Sequence, residues 1–183
     1  RPVDDNTGPD VITVGLFYRS DRLEAIGPAQ TLAGPEFELS RQPMAQLFQQ
    51  KPGGGKILIV VNHLKSKGSC PESGVNSNQG DGQGCWNSAR QTAAKIMSAW
   101  AKRVAASAGT KNILILGDMN AYRLEDPIDA IRKAGFKELM DTGVGSAKQG
   151  LPYSFAYFGQ HGTLDYAFSS NALLELVQQA FIW

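Results

Sequence analysis

Two short apolar runs that stop abruptly on polar, reactive residues constrain this chain more than any other feature. ILIL at 113–116 runs into Gly117, Asp118 and Asn120, and ILIVV at 57–61 runs into Asn62, His63, Lys65 and Lys67. Runs this short and this uniformly apolar read as strands buried on both faces, the kind found in sheets covered by helices. Each delivers its polar residues to a carboxyl end. A third run, GTLDYAF at 162–168, places Asp165 inside an otherwise apolar strand. A carboxylate buried there calls for a facing His, Arg or metal ion.

The rest of the pattern alternates strands with helices. VITVGLFYR at 11–19 alternates and is rich in β-formers, so it reads as a strand. Residues 20–55 carry several prolines and a GGG at 53–55, and read as turns with short strand pieces. From Trp86 to Ala106, apolar residues at Ala89, Ala93, Ile96, Met97, Trp100 and Val104 step by three and four, which predicts an amphipathic helix. Arg90, Lys95 and Lys102 are expected on its wetter side. A second helix is expected over 126–134, started by Asp126 and Pro127 and stopped by Gly135. YSFAYF and GTLDYAF are expected to form a hairpin around Gly159–Gly162. A short helix from Asn171 and an apolar VQQAFIW segment complete the pattern. Mixed strands and helices of this kind predict an α/β sandwich within one domain over 1–183.

Cys70 and Cys85 bracket a glycine-rich polar stretch with no apolar periodicity, which reads as a loop. Two cysteines flanking an exposed loop predict a disulfide and an oxidising, secreted or periplasmic location, two free thiols being the alternative. With only His63 nearby and no second cysteine pair, a zinc site is not expected. The charges nearly balance, 18 basic against 17 acidic residues, so any cationic surface for a polyanion must be local. No apolar run approaches the roughly 20 residues of a membrane span.

The polar strand ends suit one chemistry. Asp118 could bind a divalent cation or orient an attacking water, and Asn120, two residues on, could hold a phosphate oxygen or the nucleophile. His63 could act as general acid towards a leaving oxygen or donate to a phosphoryl oxygen. Lys65 and Lys67 alternate onto a common side and could meet a phosphate backbone, with Asn62 beside them. His161 reads as an exposed turn residue, and Tyr153, Phe155, Tyr157 and Phe158 as rings that pack or stack near the site; an exposed aromatic hairpin for membrane contact would instead favour an enzyme of lipid headgroups.

Taken in order, FYR, RQP at 41–43, NHLKSKG, GQGCWN, GDMNAY and LDYAF resemble the endonuclease/exonuclease/phosphatase superfamily, and within it the secreted bacterial nucleases related to pancreatic-type deoxyribonuclease. The resemblance runs from about Val11 to Phe168. It implies a four-layer α/β sandwich, two packed mixed sheets flanked by helices, and metal-dependent phosphodiester cleavage with Mg²⁺, often aided by Ca²⁺. It implies that His63 is the catalytic His, that Asp118 and Asn120 position water, phosphate or metal, that Asp165 orients a second His, and that Arg41 contacts phosphate. Nothing matches the family's upstream Asn and metal-binding Glu strands or its Ser-Asp-His segment, so the chain reads as a central fragment, incomplete at both ends, that could join the remaining parts of a parent domain.

The function implied is a secreted, sequence-nonspecific endonuclease acting on DNA, with RNA also open. The rivals are a sphingomyelinase-like phosphodiesterase of lipid headgroups on the same fold, and a noncatalytic binding module.

Overall fold

The computed structural model describes residues 12–142 and 153–180. Its main element is a six-stranded mixed sheet in the order β1-β2-β3-β4-β8-β5. The strands are β1 (Leu23–Thr31), β2 (Arg41–Gln50), β3 (Lys56–His63), β4 (Ile113–Asp118), β5 (Lys137–Glu138) and β8 (Asp165–Ser169). A separate pair, β6 (Phe155–Tyr157) and β7 (Gln160–Gly162), forms a small second sheet. The helices are α1 (Asn87–Ser107), α2 (Asp126–Lys133) and the single turn α3 (Asn171–Leu174). The α/β class expected from the sequence is the one formed.

β3 and β4 are parallel and the other neighbours antiparallel. A parallel pair needs a long crossover, and here the cysteine loop and α1 supply it. The face of α1 bearing Ala93, Ala94, Met97, Ala101 and Val104 packs with Ile128 and Ile131 of α2 onto Leu58, Val60, Ile113, Ile115, Tyr166 and Phe168 of the sheet. Each large aliphatic side chain buried there contributes roughly 1.5–3 kcal/mol. The strand alternation sends the other side chains to the opposite face, where Met44, Val61 and Leu116 meet Ala29, Val14 and Leu16.

Three local expectations are corrected. Residues 12–19 form no strand; Val14 and Leu16 instead lie over the second face of the sheet. The alternation therefore marked an extended segment with Val14 and Leu16 half-buried (Val11 lies outside the described residues). Residues 20–55 hold two long strands rather than fragments. The misleading signals were Gly27 and Pro28, which sit in a bulge between Ile26 and Gln30, and Pro43, which sits in another between Arg41 and Met44. The carbonyls of Ile26 and Gly27, exposed by the first bulge, accept from Gln46 Nε2, a buried amide doing what a ladder would otherwise do. Finally, the hairpin closes at Phe158–Gly159 with β7 as its second strand, while the strand carrying Asp165 joins β4 in the main sheet. Of the VQQAFIW segment, 181–183 lie outside the described residues.

Cys70 and Cys85 are disulfide-bonded, with Cα atoms 5.4 Å apart. Closing this loop constrains the unfolded chain, by about 3 kcal/mol in the chain-entropy treatment. Substituting both cysteines by serine is expected to lower the thermal midpoint by about 6–12 °C. A midpoint unchanged under non-reducing conditions would show that the loop is held by its other contacts alone.

Candidate active site

The register of the sheet does what sequence spacing cannot. Arg41 on β2 pairs with His63 on β3, His63 with Asp118 on β4, and Asp118 with Asp165 on β8. Four residues far apart in sequence thus form one row across four adjacent strands, at one edge of the sheet. His63 and Asp118 follow the alternation of Val61 and Leu116, so they lie on the face turned away from α1 and α2. His63 Nε2 stands 3.5 Å from Asp118 Oδ2.

The strand ends are stitched by the backbone. Leu64 N–H donates to the Asp118 carbonyl at 2.9 Å, and Met119 N–H to the Leu164 carbonyl at 2.8 Å. Gly117 permits the close approach of β3 and β4: its φ is +138°, and a Cβ there would sit 2.0 Å from the Asn62 carbonyl oxygen. Asn120 has φ +47°, a left-handed turn conformation that Asn tolerates better than most residues. Its backbone N–H donates to Asp118 Oδ1 at 2.7 Å, and its Nδ2 to the Leu64 carbonyl at 3.0 Å. Asp118 and Asn120 therefore form a closed turn rather than two side chains aimed in parallel.

Burial is the main influence on Asp118 and pushes its carboxyl above the ordinary 3.8. The Asn120 N–H, His63 and Arg41 oppose that shift, and the neighbouring Asp165 adds to it. Asp165 itself is exposed at the start of β8. The expectation of a buried carboxylate needing a counterion is thus corrected: at the strand end the Asp165 side chain is open to solvent.

The cationic residues do not fall as the spacing suggested. Asn62 is buried on the helix-facing side and its Nδ2 donates to the Leu116 carbonyl at 2.8 Å, so it holds β3 to β4 and does not face the row. Lys65 and Lys67 diverge once β3 has ended. Lys65 lies over the Trp86 ring at 5.1 Å and donates to Ser66 and Gly68. Its pKa is lowered chiefly by burial, with Arg41 and Arg90 adding repulsion. Lys67 is ion-paired with the buried Glu125 and lies 4.5 Å from the Tyr122 ring centre. Of the predicted contacts to substrate, Arg41 keeps its place in the row, Lys65 borders it, and Asn62 and Lys67 are tied up in structure.

Arg90 lies on the opposite side of α1 from the wet face expected for it. Arg90 is fully buried, and its guanidinium donates to the carbonyls of Lys65 (3.2 Å), Cys85 (2.8 Å) and Gln83 (3.2 Å). It is the internal clamp of the cysteine loop. Gln83 and Asn87 tie the same loop and α1 to Asp126 at the start of α2. The signal was present in the sequence: Arg90 precedes Ala93, Ala94 and Met97 by three, four and seven residues, on the apolar stripe itself.

Among the described residues no group of three or more His, Cys, Asp or Glu side chains is arranged to hold a metal ion. What the row offers is two carboxylates, Asp118 and Asp165, on paired strand positions. That fits Mg²⁺, which commonly binds through one or two carboxylates and fills its octahedron with water and phosphate oxygens.

No protein family and no curated protein matches the chain by sequence. Solved structures do match. The human Nocturnin catalytic domain with bound sulfate anion is 16% identical over 84% of this chain and 50% of its own, with a TM-score of 0.58. An endonuclease/exonuclease/phosphatase family protein from Bacteroides thetaiotaomicron is 16% identical over 84% of this chain and 52% of its own, with a TM-score of 0.56. D. rerio TDP2 complexed with a single-strand DNA product is 13% identical over 84% and 56%, with a TM-score of 0.52. The chain has the fold of the endonuclease/exonuclease/phosphatase structures and spans about half the length of those it matches.

Proposed function

We propose that the chain carries part or all of the machinery of a divalent-metal-dependent phosphodiesterase acting on nucleic acid, as a secreted DNA endonuclease. The observation that carries this reading is the row Arg41–His63–Asp118–Asp165, one cation, one imidazole and two carboxylates across adjacent strands. In-line hydrolysis of a phosphodiester needs charge neutralised on the phosphate, water oriented behind phosphorus and a proton for the leaving oxygen. Arg41 is placed to neutralise a phosphate oxygen. His63 is placed to donate a hydrogen bond or a proton to an oxygen on phosphorus. Asp118, fixed by the Asn120 N–H, is placed to hold water or metal, and Asp165 extends the acidic side of the row. Mg²⁺, held by these two carboxylates, would supply charge stabilisation on the phosphate. The fold shared with a DNA-bound structure favours nucleic acid as substrate, and the disulfide favours an oxidising compartment. No described helix is long and apolar enough to cross a membrane.

The test is relaxation of supercoiled plasmid by the purified chain with Mg²⁺, and with EDTA in its place. Nicking that requires Mg²⁺ is the expected result. Absence of cleavage of both the plasmid and circular single-stranded DNA under every metal condition would overturn catalysis by this chain, and cleavage that persists in EDTA would overturn the metal dependence.

A further inference from the structure

The row leaves one conspicuous feature unused. In the hairpin segment 153–162, Tyr153 is 50% exposed, Tyr157 63% and Phe158 88%. A lone exposed ring needs no explanation, but three on one ten-residue segment form a patch, and patches mark contact surfaces. The rings are ordered against one another. Phe155 and Tyr157 lie within 26° of parallel with centroids 6.1 Å apart, and Phe158 meets Tyr157 edge-on at 4.4 Å. Tyr153 touches the His161 ring at 4.5 Å. Phe158 is held at φ +46° ahead of Gly159 at +75°, a two-residue turn that carries the ring at the tip.

This ledge is fixed to the row. Ser154 Oγ accepts from the backbone N–H of Leu164 at 3.1 Å and of Asp165 at 3.0 Å. On the other side, the Tyr122 ring lies so close to Gly162 that a Cβ there would be 2.4 Å from Tyr122 Cε1. Tyr122 in turn follows Asn120 by two residues. The hairpin thus grows directly from the strand end that presents Asp165, bounded by the turn that presents Asp118.

The geometry points to the ledge as a stacking platform for unpaired bases of a single-stranded polynucleotide whose backbone lies along the row, an inference that rests on the phosphodiesterase reading. Bases in a duplex stack on one another and show only their edges, whereas ring faces take unpaired bases irrespective of sequence. Residues 153–164 contain no Asp or Glu to repel a phosphate backbone. They contain no Lys or Arg either, so they lack the basic face that draws a segment to an anionic bilayer surface. Tyr hydroxyls, Gln160 and His161 instead leave the rings rimmed with hydrogen-bonding groups.

The experiment is fluorescence anisotropy of a labelled single strand of about 12 nucleotides, a span typical of single-strand grooves, titrated in EDTA so that binding is read without cleavage. Tyr157→Ala and Phe158→Ala are each expected to weaken binding by about tenfold, with circular dichroism unchanged because both side chains are exposed. Tyr157→Phe should retain affinity, and Phe158→Leu, which keeps apolar bulk but no ring, should lose it. Full affinity in Phe158→Leu, or in both alanine variants, overturns the proposal. So does vesicle binding (phosphatidylcholine with phosphatidylserine) that falls in Phe158→Ala while strand binding does not. Ring-dependent strand binding by a protein that, with Mg²⁺, cleaves neither plasmid nor the single strand itself would sustain the platform and defeat the catalytic reading alone.

Discussion

Asp118→Asn is expected to lower Mg²⁺-dependent phosphodiester hydrolysis by about a thousandfold, while the thermal midpoint at neutral pH stays level or rises. The substitution keeps the shape of the side chain and an oxygen to accept from the Asn120 N–H, so the turn survives. What disappears is the charge. Because burial raises the carboxyl above 3.8 in the folded chain, the folded protein holds this proton more tightly than the unfolded chain does. Between the unfolded and folded values the native state binds more protons, so its stability falls as pH rises through that window and stays lower above it. At neutral pH the ionised Asp118 is therefore a net cost to the fold, which the amide relieves. Melting curves in EDTA, from just above 3.8 to neutral, should show the parent losing stability relative to Asp118→Asn. A variant that keeps its activity, or one whose midpoint drops by several degrees, would reduce Asp118 to a structural residue.

Arg90→Ala carries the largest expected effect on stability. Removing the guanidinium takes the donor from the buried Cys85 carbonyl and from the half-buried carbonyls of Lys65 and Gln83, and opens a cavity where a fully buried side chain stood. Together these cost about 3–5 kcal/mol, which lowers the thermal midpoint by roughly 10 °C in a chain of this size. Arg90→Lys should recover little, since an ammonium cannot reproduce the fork that reaches several carbonyls at once. Hydrogen exchange gives the local readout: amides between residues 66 and 85 should lose protection before those of the sheet. A midpoint within a degree or two of the parent would show that the disulfide alone holds the loop.

The two effects separate the roles of neighbouring parts. Asp118 works at the open edge of the sheet, where charge is kept despite its cost. Arg90 works inside, where a charge is tolerated because backbone oxygens surround it, and its influence reaches the site through the Lys65 and Leu64 segment to which Asn120 is bonded.

Much of this was legible in the amino-acid order. The apolar runs before His63 and Asp118 could satisfy their side chains only as buried strands, and the three-four spacing from Ala89 to Val104 only as a helix laid on them. The pairing of Cys70 with Cys85 followed from their place around a loop with no core residues. Strands interrupted by Gly27, Pro28 and Pro43 were not legible, because bulges let a sheet absorb residues that local propensity excludes. The directions of Lys65 and Lys67 were also beyond reach: alternation holds only while a strand lasts, and β3 ends at His63. Asn62, still inside the strand, was legible, because alternation puts it opposite His63. Only the tertiary structure decided that Arg41, His63, Asp118 and Asp165 share one row. Register between strands is set by the packing of α1 and α2 on one face and the approach of backbones at Gly117. Neither is a property of any single run of sequence.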